Sequence, residues 1–203
     1  MKSEETPDEE KLPFTESGRY TYADYLKWEI DERVELIKGK VFRFGIAAPR
    51  RIHQEISGRV AVKLFTFLKG KTPEVYTAPF DVRLSKKSLK NEDVDTVVQP
   101  DISVFCDRNK LDDFGGIGAP DLIIEILAPG DNKKELQDKY DLYKEFGVKE
   151  YWIIHPVEQT LFTYTLVEGK YIPSKLFTSG DFIESKAVEG FRLDLDYVFA
   201  ELD

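Results

Sequence analysis

Two short apolar runs each carry one carboxylate that a dry β-sheet has no use for. Asp101 lies in V-V-Q-P-D-I-S-V-F (Val97–Phe105), and Glu125 lies in D-L-I-I-E-I-L-A-P (Asp121–Pro129). Both runs are rich in β-branched residues and bounded by turn formers, the pattern of strands covered on both faces. If the two strands are antiparallel neighbours with Phe105 opposite Asp121, then Asp101 falls opposite Glu125. Opposed residues have Cβ atoms ~4.5–5.5 Å apart, close enough for two carboxylates to share one small ion. Without a cation the two charges repel and one acid tends to stay protonated. A divalent cation removes that conflict, so the pair reads as a metal site. Asp121 is the control: four residues from Glu125 on the same face, it is ~13 Å away along a strand and reads as a turn residue.

The other candidates are graded by how badly they fit an inert role. An ionised Glu125 inside I-I-E-I-L costs several kcal/mol unless paired or metal-bound. Its alternative to a metal is a buried ion pair, and Lys139 is the available cation, 14 residues on. Lys139 borders the buried stripe of the following helix, where its stem can pack and its ammonium can reach the end of the Glu125 strand. There it can neutralise charge on a phosphorane or help activate a water, or simply pair with Glu125. Glu35, between apolar neighbours in V-E-L-I, can complete a metal shell or belong to a solvated alternation. Arg51 and His53, at the start of a long helix, can contact a phosphate or merely occupy a helix terminus.

Other chemistries are poorly supplied. No G-x-S-x-G elbow accompanies the two histidines. Cys106 has Arg108 as its one basic neighbour, too little for a thiolate nucleophile. Gly115-Gly116-Ile117-Gly118 invites a phosphate-loop reading, but it precedes a strand and lacks the third glycine of the motif; a flexible loop is expected there.

The elements that must position these groups follow from periodicity. Thr21 and Asp24 suggest a cap for a helix over Tyr22–Glu29. Arg33–Ile37 and Val41–Gly45 flank a Lys38-Gly39 turn and form a hairpin. Ile52, Ile56, Val60 and Leu64, at four-residue spacing, mark one face of a helix running to about Lys69. Val75–Leu84 reads as one strand at an edge or with a bulge, because of Pro79. A helix from Asn132, capped with Glu135, to Phe146 and ended by Gly147 separates the Asp121 strand from Glu150–His155, a βαβ unit with parallel strands. The remaining chain is β-rich (Thr160–Val167, Lys170–Ile172, Lys175–Thr178, Phe182–Glu184), with a short helix around Leu195–Leu202. The order describes an α/β (α+β) fold in which a mixed sheet is flanked by helices.

At 203 residues the chain suits one domain: an acidic, disordered tail over 1–19 and a folded unit over 20–203. No apolar run is long enough for a membrane span, and the acidic start is no secretory signal. A lone cysteine fits a reducing cytoplasm and excludes Cys/His zinc chemistry. The net charge of −9 weighs against a non-specific nucleic-acid coat without excluding a DNA partner.

Six segments, in order, carry a resemblance: Glu35-Leu-Ile-Lys-Gly39, His53-Gln-Glu-Ile-Ser57, Ala78-Pro-Phe-Asp-Val-Arg-Leu84, Gln99-Pro-Asp-Ile-Ser-Val104, Ala119-Pro-Asp-Leu-Ile-Ile-Glu-Ile-Leu127 and Gly147-Val-Lys-Glu-Tyr-Trp-Ile153. From about Tyr20 to its end the chain resembles the Uma-type family of putative restriction endonucleases, of the PD-(D/E)XK nuclease superfamily. The resemblance implies a restriction-endonuclease-like domain over 20–203 with extra C-terminal β-strands. It also implies a Mg2+- or Mn2+-dependent endonuclease that hydrolyses DNA phosphodiesters. By it, Asp101 and Glu125 match the metal-binding acids, and Glu35 matches the acid from the N-terminal part of the core. The superfamily lysine stands two residues after the glutamate, where this chain has Leu127; Lys139 matches a lysine displaced onto the next helix. Ala128 and His155 depart from the family's usual Ser and Asp. Cutting both strands of a duplex favours a homodimer, for which Phe162, Tyr164, Tyr171 and Phe177 can supply either a surface or more core. The competing reading is a non-catalytic nuclease fold that binds a partner, and a third is metal-assisted hydrolysis of another phosphate ester.

Overall fold

A computed structural model of the chain describes residues 12–15, 17–30, 32–43, 51–86, 88–128 and 133–202. The chain opens with helix α1 (Tyr22–Tyr25) and the hairpin β1 (Val34–Ile37) and β2 (Lys40–Arg43), followed by helix α2 (Arg51–Leu68). Strands β3 (Glu74–Thr77), β4 (Val82–Leu84), β5 (Thr96–Val98) and β6 (Ile102–Phe105) come next, then β7 (Leu111–Asp112), β8 (Gly115–Ile117) and β9 (Leu122–Ile126). Helix α3 (Lys133–Phe146) leads into β10 (Glu150–His155), β11 (Thr160–Val167), β12 (Lys170–Pro173), β13 (Phe177–Thr178), β14 (Phe182–Glu184) and β15 (Arg192–Asp194), and α4 (Leu195–Phe199) is the last helix.

Among the described residues the strands form two large mixed sheets and one small one. The first runs β2-β1-β5-β4-β8-β7, the second β12-β11-β10-β9-β6-β3 with β13 beside β11, and β14 pairs with β15. Strands β9 and β10 are parallel and joined through α3, so the expected βαβ unit is present. Its helix ends at Gly147, whose φ of 83° lets the Val148 N–H reach back to the Tyr143 carbonyl at 3.0 Å. Asn132, the residue expected to cap this helix, lies outside the described residues.

Two expected strands are broken, and proline is the reason for each break. The run from Val97 to Phe105 is split at Gln99-Pro100-Asp101: β5 belongs to the first sheet and β6 to the second. Pro100 has no N–H for a ladder and biases the residue before it, so the chain leaves one sheet there and enters the other. The run from Val75 to Leu84 is likewise cut around Pro79 into β3 of the second sheet and β4 of the first. These paired crossings put the N-terminal hairpin, through β5, next to the carboxylate of Asp101.

The glycine cluster is not a flexible loop. Gly115 and Gly116 are buried in β8, which pairs with β4. A Cβ on Gly116 would stand 2.4 Å from Cζ of the buried Phe105, and one on Gly115 would stand 2.3 Å from the Asp81 carbonyl oxygen. The glycines let two backbones and a ring approach closely, as strand glycines do.

Alternation along the second sheet divides its two faces. Ile102, Val104, Leu122, Ile124, Trp152 and Ile154 pack with Ile56, Val60 and Leu64 of α2. Phe105, Ile123, Tyr151 and Ile153 pack on the other face with Leu142 and Tyr143 of α3 and with Val82, Leu84 and Val98 of the first sheet. Glu125, one residue from Ile124, therefore faces α3. The tail expected over 1–19 is described only at 12–15 and 17–19, and there Phe14 is buried with its ring 5.0 Å from that of Trp28. Tyr164 and Tyr171 pack edge-on to Tyr140 of α3, at 5.1 and 5.3 Å, so these aromatic residues serve the core.

Because Phe105 fills the space above Gly116, Gly116→Ala should destabilise the protein by about 1–3 kcal/mol, the usual cost of an overpacked core. A urea titration measures it, and an unchanged midpoint would mean that the close approach costs nothing to relieve.

Candidate functional site

The register of β6 and β9 pairs Ile102 with Ile124, Ser103 with Ile123 and Val104 with Leu122. Continued by one residue, it sets Asp101 opposite Glu125, the register under which the sequence pairs them. Asp101 stands just outside β6, where the chain has crossed from the first sheet. One of its oxygens, Oδ2, accepts the Ile126 N–H at 2.8 Å and lies 3.3 Å from His53 Nε2. Glu125 Oε1 accepts from Lys139 Nζ at 2.8 Å and from the Tyr143 hydroxyl at 2.6 Å. Glu35 completes the group from the adjacent sheet. Its Oε1 accepts the Gln99 N–H at 2.8 Å and lies 3.9 Å from Lys139 Nζ, while its Oε2 is buried with no hydrogen-bond partner.

Burial makes these contacts consequential: Glu35, Asp101 and Glu125 are 1%, 8% and 6% exposed. Burial and the meeting of acids with one ammonium together set the proton affinities. Burial raises the Glu125 carboxyl above its ordinary value, and the charges of Asp101 and Glu35 add to the shift against the pull of Lys139. Burial alone would lower Lys139, but Glu125 and Glu35 outweigh it and the ammonium holds its proton more tightly than usual. Burial leads the first shift, and the neighbouring carboxylates produce the second. Burial alone would raise Asp101, yet the His53 hydrogen bond and charge and the Ile126 N–H keep it below the ordinary range. The same contact keeps His53 above its ordinary value although burial opposes it.

Of the residues singled out from sequence, Glu35, Asp101, Glu125, Lys139 and His53 are thus brought together. Arg51 is not joined to them by these contacts; it pairs with Glu55 at 3.0 Å on the exposed start of α2. Tyr143 and Gln99 were not singled out. Tyr143 follows Lys139 by four residues, one helical turn along the same face, which is the signal that could have found it. Gln99 acts through its backbone N–H, which no side-chain pattern reveals. Asp121 is a structural acid: its Oδ2 accepts the Cys106 N–H at 2.7 Å and its Oδ1 pairs with Lys149 at 2.6 Å. Glu150 is another, buried and accepting from Trp152 Nε1, Ser185 Oγ and the N–H groups of Lys186 and Ala187.

A divalent cation fits this site by charge and donor type. Three carboxylates outnumber the one ammonium, and hard oxygen donors suit Mg2+ or Mn2+. The orphaned Glu35 Oε2 is a donor with nothing to bind. The fit is not that of a ready cage, because among the described residues no three Asp, Glu, His or Cys side chains stand grouped closely enough to hold an ion. Lys139 occupies the place between Glu125 and Glu35.

Buried acids and a lysine gather where the two large sheets of this mixed α+β core meet, in a restriction-endonuclease-like nuclease fold. The chain belongs to the Uma2 family, described as "Putative restriction endonuclease", whose model matches residues 22–196. It is similar in structure to a crystal structure from Anabaena variabilis described as "a putative nuclease belonging to DUF820". The TM-score is 0.69 at 22% identity, over 89% of this chain and 97% of the other. No curated protein matches it. No helix among the described residues is long and apolar enough to cross a membrane.

Removing the ammonium should expose the charge imbalance. Lys139→Met breaks a buried pair, at a cost of about 3–5 kcal/mol near neutral pH. A carboxylate whose folded pKa is raised destabilises the fold above that pKa and ceases to do so as pH falls through it. The variant's deficit should therefore shrink on acidification, seen as converging melting temperatures of variant and wild type. A deficit independent of pH would mean that the lysine contributes packing alone.

Proposed function

We propose that the chain is a Mg2+- or Mn2+-dependent endonuclease that hydrolyses phosphodiester bonds in DNA, with residues 20–203 acting as one domain. The observation that carries this reading is the convergence of Glu125 and Glu35 on Lys139, with Asp101 opposite Glu125, in a buried cluster where carboxylates outnumber the ammonium. Family membership supports it.

Asp101 and Glu125 would hold the ion, and Glu35 can lend its unpartnered oxygen. When bound there, such an ion would supply Lewis acidity toward a phosphate oxygen and a water. Lys139, which keeps its proton, serves as a fixed cation facing charge that develops on the phosphorane, rather than as a base. Tyr143 holds the Glu125 carboxylate in one rotamer, and the backbone of Gln99 does the same for Glu35. His53 is a positioning residue: buried and bonded to Asp101, it sets the direction of that carboxylate and is not placed to meet a phosphate. Arg51, at the exposed start of α2, is the better phosphate contact. A homodimer would bring two such sites to one duplex.

The second reading is a non-catalytic protein that keeps the fold and binds a partner. Its supporting observation is that Lys139 already satisfies Glu125, which an inert ion-pair cluster would also do. Cleavage of supercoiled plasmid and of circular single-stranded DNA separates the two. With Mg2+ or Mn2+ the wild type should nick, and Asp101→Ala, Glu125→Gln and Lys139→Met should each lose on the order of 10²-fold or more, as for other preorganised charge-stabilising groups. Nicking by Asp101→Ala at the wild-type rate would remove the site from consideration.

A further inference from the structure

Lys139 stands where an ion held by Glu125 would have to compete with it. Its Nζ donates to Glu125 Oε1 at 2.8 Å and lies 3.9 Å from Glu35 Oε1. The same Glu125 oxygen also accepts from the Tyr143 hydroxyl at 2.6 Å. A carboxylate oxygen that already serves an ammonium and a phenol is poorly placed to take a divalent cation as well. Mg2+ sits about 2.0–2.1 Å from its oxygen ligands, so an ion on Glu125 beside the ammonium would put two cations nearly in contact. Like charges that close repel strongly in a poorly screened interior. A divalent cation taken up by Asp101 and Glu125 therefore displaces Lys139 rather than joining it.

Glu35 is placed to receive what is displaced. It comes from β1, in the other large sheet, and the Gln99 N–H fixes its Oε1 at 2.8 Å. Its side chain is fully buried, and its Oε2 has no hydrogen-bond partner among the described residues. A buried carboxylate with so few donors is costly to keep, and an ammonium is the donor that relieves it best. Closing from 3.9 Å to the 2.8 Å that Lys139 now keeps with Glu125 is a shift of about 1.1 Å. The four-carbon stem of a lysine is flexible enough for that without any movement of α3. Tyr143, one helical turn on, stays behind on Glu125 and keeps its carboxylate in place.

We propose that Lys139 is a counter-ion that competes with a divalent cation for Glu125, and that binding of the cation hands its ammonium to Glu35. Lys139 and Glu35 are in this respect positioning residues: the pair decides how tightly an ion is held and where the ammonium rests once it is. The ammonium stays in the site after the exchange, now fixed by Glu35. The inference rests on the metal-dependent reading, and its test needs neither DNA nor cleavage.

Binding of Mn2+ to the purified protein is followed by the loss of the free ion's electron paramagnetic resonance signal. Lys139→Met should bind Mn2+ at least about tenfold more tightly than wild type, within the usual range for two coupled ligands. Glu35→Gln should weaken binding several-fold in the wild-type background, where the ammonium loses its second partner, and much less in the Lys139→Met background. Charges acting only through space would give additive effects. Should Lys139→Met fail to fold, Lys139→Gln serves in its place, with circular dichroism as the control. A crystal structure with Mn2+ bound should show Nζ on Glu35 and released from Glu125. Equal affinities of wild type and lysine variant, additive effects, or an ammonium still on Glu125 beside a bound ion overturns the exchange and leaves metal dependence standing. No Mn2+ bound by any of these proteins overturns both.

Discussion

An excess of buried negative charge is the constraint to which the rest of this structure is fitted. Three carboxylates, each nearly free of solvent contact, share one ammonium and a handful of N–H and O–H donors. Taking such groups out of water costs several kcal/mol apiece unless each finds a partner. The partners come from every direction: Ile126 N–H and His53 for Asp101, Lys139 and Tyr143 for Glu125, Gln99 N–H for Glu35. A fold built for stability alone would place apolar side chains in these positions.

The two sheets make this convergence possible. Neither by itself carries all three acids: Glu35 belongs to the first, Glu125 to the second, and Asp101 stands at the crossing between them. Pro100 enforces that crossing, since a strand running unbroken from Val97 to Phe105 would keep Glu35 away from the other two. Gln99, at the same break, donates its backbone N–H to Glu35 and its side-chain amide to Asp81 and the Tyr25 hydroxyl. The corner that assembles the acids is thus tied to the first sheet by both the backbone and the side chain of Gln99.

Lysine placement distinguishes the site chemically. A lysine on the strand of Glu125 would share that strand's rigidity, whereas Lys139 reaches in from α3 with its stem packed beside Tyr143. The helix ends sharply at Gly147 and returns the chain to β10, parallel to β9. Helix position and strand register are therefore linked through a short connection, and Lys139 is held at hydrogen-bonding distance from Glu125.

Much of this was legible in the residues themselves. An acid amid β-branched neighbours announces a group that must be paired, and the spacing of the two runs predicted the pairing of Asp101 with Glu125, because strand register depends on local alternation. The reach of Lys139 followed from helical periodicity for the same reason. What no linear pattern could supply was long-range: that proline would divert one apolar run into two sheets, that Gly115 and Gly116 yield space to Phe105 and Asp81, and that Gln99 would present its N–H to Glu35. Those depend on which backbones meet, and a close approach between segments distant in sequence is decided by packing of the whole chain. Sequence alone determined which side chains would be intolerable if left unpaired; only the tertiary structure decided which partners would relieve them, because burial and distance are properties of the folded whole.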